Sequence, residues 1–156
     1  MNEYYKNLPK KRMAAGALIF DGEGRVLIVK PSYKDHWSIP GGVVDERESP
    51  RDACAREIRE EIGITIPVGR LLCVDYTKER GEKDESLQFI FYGGVLGESG
   101  LRNIRIDGKE IIDHRFVPCE EAIGLFGGVE RGFAKRVAAC FASLNAEGAA
   151  YLEDGE

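Results

Sequence analysis

The chain has 156 residues, 43% of them apolar and 31% charged, which is enough for one domain with a proper core. A formal net charge of −5 argues against binding the backbone of a nucleic acid non-specifically. No apolar run reaches 18 residues, and the basic start MNEYYKNLPKKRMAAG lacks the apolar segment of a secretory signal, so the expectation is a cytoplasmic protein with no membrane partner.

In chain order, Met13–Phe20 and Arg25–Lys30 are apolar runs around the turn Asp21-Gly22-Glu23-Gly24, which predicts a β-hairpin. Trp37–Ile39 reads as a short strand stopped by Pro40-Gly41-Gly42. Ser49 is a good N-cap, Pro50 suits the first helical position, and Gly63 is a good stop, so a helix is predicted over Pro50–Ile62. Gly69–Lys78 and Leu87–Leu96 read as strands flanking the charged loop 79–86, Gly97–Gly100 as a turn, and Ile111–Val117 as another strand. Pro118–Leu125 reads as a short helix, and Val129–Leu144 as a helix whose Phe133, Val137, Cys140 and Phe141 face the core. The domain core then spans about 13–144, between a flexible N-terminal segment 1–12 and a loosely attached tail 147–156. Cys54, Cys73, Cys119 and Cys140 all lie in apolar stretches without CxxC spacing, and are expected to be buried, reduced thiols.

The helix over Pro50–Ile62 raises a problem of charge. With Glu57 at zero on a wheel of about 100° per residue, Glu61 falls near +40° and Glu60 near −60°, beside the apolar arc of Cys54, Ile58 and Ile62. Like charges at these spacings repel by a few tenths of a kcal/mol per pair. Arg56 and Arg59 can offset this in a salt-bridged surface stripe; the alternative is a divalent cation, and carboxylates suit hard ions such as Mg²⁺ or Mn²⁺.

From Gly42 the sequence reads G-x5-E-x7-R-E-U-x-E-E-x-G-U, with U a bulky aliphatic and every specified position filled. This resembles the Nudix box of the Nudix (MutT-like) hydrolases, and the resemblance extends over most of residues 13–144. It implies an α/β fold, an α/β/α sandwich with a mixed β-sheet. It also implies hydrolysis of a phosphoanhydride bond in a nucleoside diphosphate linked to X, with Mg²⁺ as cofactor and Mn²⁺ as a substitute.

By the same resemblance, Glu57, Glu60 and Glu61 are metal ligands, together with the Gly41 carbonyl. Arg56 holds a box glutamate in place, and Glu48 anchors the loop. The general base is either a box glutamate or an acid from a later loop, for which Glu110 is the candidate and Asp107 its competitor. The catalytic set is then Glu57, Glu61, Arg56 and Glu110, and Glu110 also joins the metal set.

The box does not choose X. The proline that marks ADP-ribose hydrolases after the box is missing from Lys78-Glu79-Arg80-Gly81, and Tyr76 lies early for the tyrosine of dinucleoside polyphosphate hydrolases. The expected substrate is therefore a nucleoside triphosphate or a related small nucleotide, with ADP-ribose or a sugar nucleotide as the alternative. Candidate substrate contacts are Lys30, Tyr33, Trp37, Tyr76, Gln88 and Tyr92, with the loop 80–85 at the mouth of the cleft. A non-catalytic nucleotide-binding module would carry a degraded box, and this one is intact. A prenyl diphosphate isomerase would need a cysteine before the box, and none precedes Cys54. Many relatives are dimers, so a homodimer is compatible with the sequence without being required by it.

Overall fold

The computed structural model describes residues 2–128 and 131–156. Its elements in order are α1 (Glu3–Lys6), β1 (Arg12–Phe20), β2 (Val26–Pro31), β3 (Gly41–Val43), α2 (Pro50–Ile62), β4 (Leu71–Thr77), β5 (Ser86–Val95), α3 (Glu98–Arg102), β6 (Ile111–Val117), α4 (Cys119–Leu125), α5 (Gly132–Ala142) and β7 (Ala150–Glu153). Among the described residues the strands form one seven-stranded sheet in the order β6-β2-β1-β5-β4-β7, with β3 paired to β1. The β1–β5 and β4–β7 pairs are parallel and the others antiparallel, so the sheet is mixed.

The two long apolar runs are continuous because both faces of the sheet are covered. Ala15, Ala17, Ile19, Leu27 and Val29 pack with Cys54, Ile58 and Ile62 of α2 on one face. Leu18, Phe20, Val26 and Ile28 pack with Ala122 of α4 and with Ala134, Val137 and Cys140 of α5 on the other. The result is an α/β/α sandwich. Helix α2 starts and stops where its caps demand: the Ser49 hydroxyl accepts from the Asp52 amide, and Gly63 turns left-handed at φ 73°.

Four expectations are corrected. The third strand is Gly41–Val43, not Trp37–Ile39; Ser38 makes only an isolated bridge to Val29. Glycine does not break this strand because the backbones pack too closely for side chains: a methyl group on Gly41 would overlap the Ala15 carbonyl. The turn at 97–100 belongs to the short helix α3. The last helix begins at Gly132, and Val129 lies outside the described residues. Cys119 is only half-buried, whereas the other three thiols are buried.

The tail is the largest departure. Residues 150–153 add a parallel strand to β4, burying Leu152. Asp75 on β4 is fully buried, accepts from Arg136 Nε at 2.7 Å and from the Gly155 amide at 3.0 Å. A buried carboxylate must be paired and hydrogen-bonded, and the tail supplies one of the partners.

Candidate active site

The carboxylates of α2 fall into two environments. Glu61 lies on the buried side of the helix, 6% exposed, and accepts from the Gly41 amide at 2.6 Å. Burial pushes its pKa up to about 8; the Gly41 bond opposes the shift, and the charges of Glu57 and Glu110 add to it. Glu57 is also raised, first by burial; Arg56 opposes this, and Glu60 and Glu110 add to it. Glu57 lies against bare backbone, since a methyl group on Gly42 would overlap its carboxylate. A Cβ at 41 would meet the backbone of β1, which cannot yield, and one at 42 would meet the Glu57 carboxylate, which would have to move.

Arg56 organises the outer side. Its Nε and Nη2 hold Glu48 at 2.8 and 3.0 Å, while Nη1 reaches Glu57 at 3.0 Å and Glu60 at 3.2 Å. The fork-shaped guanidinium suits this bidentate grip. Glu48, gripped first by Arg56 and next by the Asp45 amide, is held down at about 2. Glu60 turns toward Arg56 with its side chain 54% exposed, and does not line the cleft.

Glu57 and Glu61 line a cleft of about 670 Å³ together with Gly41 and Glu110. Glu110 and Asp107 have separate places. Asp107 Oδ1 accepts from the amides of Lys109, Glu110 and Ile111 and so shapes the turn, whereas Glu110 faces the cleft.

Of the candidate substrate contacts, Tyr33, Trp37 and Gln88 line this cleft, with Trp37 stacked under Arg115 at 4.6 Å. Lys30, Tyr76 and Tyr92 do not. The Lys30 ammonium is turned onto the carbonyls of Pro31 and Lys34, the Tyr76 hydroxyl donates to Glu85, and Tyr92 packs beside Phe20 in the core. Within the charged loop, Arg80, Lys83 and Asp84 line the cleft. Lys34, Arg131, Phe133 and Arg136 also line it and escape the sequence reading. Phe133 lies on the stripe read there as core, and it does pack against the core cluster, so its spacing carried no separate signal.

The acidic donors are oxygens, and among the described residues no histidine or cysteine lines the cleft. Two carboxylates with raised proton affinity, one of them bonded to an amide and not to a cation, fit a hard divalent ion in donor chemistry. Among the described residues, no three acidic, histidine or cysteine side chains stand close enough together to enclose an ion as they are.

Comparison with known proteins agrees with this fold. The NUDIX domain model matches residues 10–138, and the chain belongs to the Nudix family. It is 42% identical over 72 residues to diphosphoinositol polyphosphate phosphohydrolase 2 of Rattus norvegicus, covering 46% of this chain and 40% of that protein. It is 37% identical over 101 residues to diphosphoinositol polyphosphate phosphohydrolase 3-alpha of Mus musculus, covering 64% and 61%. The matches thus span less than two thirds of either relative. Among solved structures, a MutT protein from Methanosarcina mazei Go1 superposes with a TM-score of 0.68 at 25% identity, over 90% of this chain and 100% of that one. Nudix hydrolases generally use divalent metals.

Proposed function

We propose that this chain hydrolyses a phosphoanhydride bond in a nucleoside diphosphate linked to X, a nucleoside triphosphate or a related small nucleotide, with Mg²⁺ or Mn²⁺ as cofactor. The observation that carries the reading is the pair Glu57 and Glu61, nearly buried together in the wall of the cleft, with Glu61 in no ion pair among the described residues. A divalent ion held by these groups would supply charge neutralisation of the diphosphate and a lowered pKa for the attacking water. The groups that would hold it are Glu57, Glu60, Glu61, Glu110 and the Gly41 carbonyl, and Glu60 must first leave Arg56. Arg56 keeps Glu57 aimed at the cleft through a contact that Glu48 steadies.

The water oxygen attacks phosphorus and its proton passes to a carboxylate. The bridging P–O bond breaks, and the electron pair stays on the departing phosphate oxygen. Glu110 is the proposed base, because it faces the cleft and Asp107 fixes its backbone. The names of the rat and mouse relatives favour a second reading of X, a phosphorylated polyol in place of a nucleoside.

A release assay tests the proposal. Nucleoside triphosphates, ADP-ribose, sugar nucleotides and diphosphoinositol polyphosphates are incubated with Mg²⁺ or with EDTA, and pyrophosphate and phosphate are followed. Turnover of one class, lost in EDTA and in Glu57→Gln, is expected. Metal-dependent binding with no release from any substrate would instead make this a binding module.

A further inference from the structure

The cleft carries more positive charge than its acidic end requires. Four of its lining cations have carboxylates of their own. Arg12 meets Asp84 at 3.1 Å, Lys78 and Arg80 each lie 3.6 Å from Asp154, and Arg136 pairs with buried Asp75 at 2.7 Å. The remaining three are Lys34, Lys83 and Arg131, and among the described residues none of them forms an ion pair.

These three side chains come from separate parts of the chain: the segment between β2 and β3, the loop between β4 and β5, and the N-cap of α5. Arg131 is fixed, its Nη1 donating to the Phe126 carbonyl at 2.7 Å while the guanidinium sits 5.9 Å from the centre of the Phe133 ring. Lys34 also feels the other two charges. Lys34 is exposed as a residue, yet its ammonium is partly desolvated within the cleft and is destabilised first by that desolvation and then by Arg131 and Lys83, with Glu61 acting in the opposite sense. Three cations that line one cleft and form no ion pair among the described residues, next to the carboxylates that would hold the metal, make an anion subsite.

We propose that Lys34, Lys83 and Arg131 bind a substrate phosphate other than the two joined by the scissile bond. The inference rests on the hydrolase reading above and narrows it. The favoured substrates carry at least three phosphates, as nucleoside triphosphates and polyphosphorylated polyols do. ADP-ribose and sugar nucleotides have only the diphosphate and leave this subsite unmatched.

The test is calorimetric titration of the full chain with inorganic tripolyphosphate in EDTA, where nothing is turned over. Lys34→Gln and Lys83→Gln are exposed replacements, and each should weaken binding by about three- to fivefold, with the double variant losing roughly the product, as for a solvent-facing ion pair. Arg131→Lys should bind better than Arg131→Gln. Lys78→Gln, whose charge is already matched by Asp154, should change affinity by less than about twofold. ATP and inositol hexakisphosphate are titrated in parallel to find the carrier of the extra phosphate. The carrier is the one whose binding weakens with the lysine variants, while binding of ADP-ribose stays unchanged. If tripolyphosphate binds both lysine variants as it binds wild type, if Lys78→Gln costs as much as they do, or if neither carrier responds, the assignment is wrong. Because the readout is binding, a failure of hydrolysis would count against the hydrolase reading alone.

Discussion

Replacing Glu61 by glutamine should stabilise the metal-free protein at neutral pH while removing its turnover. The folded protein holds a proton on Glu61 up to about pH 8, against an ordinary value of 4.5. A carboxylate raised in this way favours the folded state fully below 4.5, and that contribution is lost as pH rises through 8. Between pH 5 and pH 7 the loss is about 2.5 kcal/mol, a melting temperature lower by roughly 5–10 °C in a chain of this size. Glutamine keeps an oxygen for the Gly41 amide and cannot ionise, so this part of the slope should vanish. The assay is thermal melting of both proteins in EDTA across pH 5 to 9. Glu57 shifts in the same direction and leaves a smaller residual slope, whereas Glu48, which is lowered, acts only below the window. Adding Mg²⁺ at pH 8 should raise the melting temperature of wild type and not that of Glu61→Gln. Parallel pH curves for the two proteins would refute the burial argument, and with it the case for a cation at this end of the cleft.

Further outcomes rest on particular contacts. Gly42→Ala should fold, yet lose about a hundredfold in turnover, because its methyl group displaces the Glu57 carboxylate; release kinetics beside a melting curve check this. Asp107→Ala should lower the melting temperature only slightly, since the three turn amides that lose their acceptor can turn to water, whereas Glu110→Gln should melt like wild type and turn over slowly. Asp75→Ala strands Arg136 and should cost about 3–5 kcal/mol in denaturant unfolding. Deleting residues 150–156 should also lower stability, where a loose tail would leave it unchanged.

Helix α2, both its ends and the box it carries are legible along the chain, because caps and helical spacing act within a few residues. So are the long strands, whose unbroken apolar runs anticipate a sheet covered on both faces. Their pairing, by contrast, joins residues far apart in the chain: β1 lies beside β5, and β7 lies beside β4. The four residues of β7 are too short to announce a strand, and only Leu152 and the buried Asp75 explain its place. The glycines at 41 and 42 looked like a stop, since the closeness of β1 and of Glu57 is invisible along the chain. Spacing placed three glutamates on one stripe; the tertiary structure separated them, burying Glu61, pressing Glu57 against backbone and turning Glu60 out to Arg56. Only the fold decided which cations remain unpaired, because ion pairing is settled by distances across the cleft and charge along the sequence carries no such information.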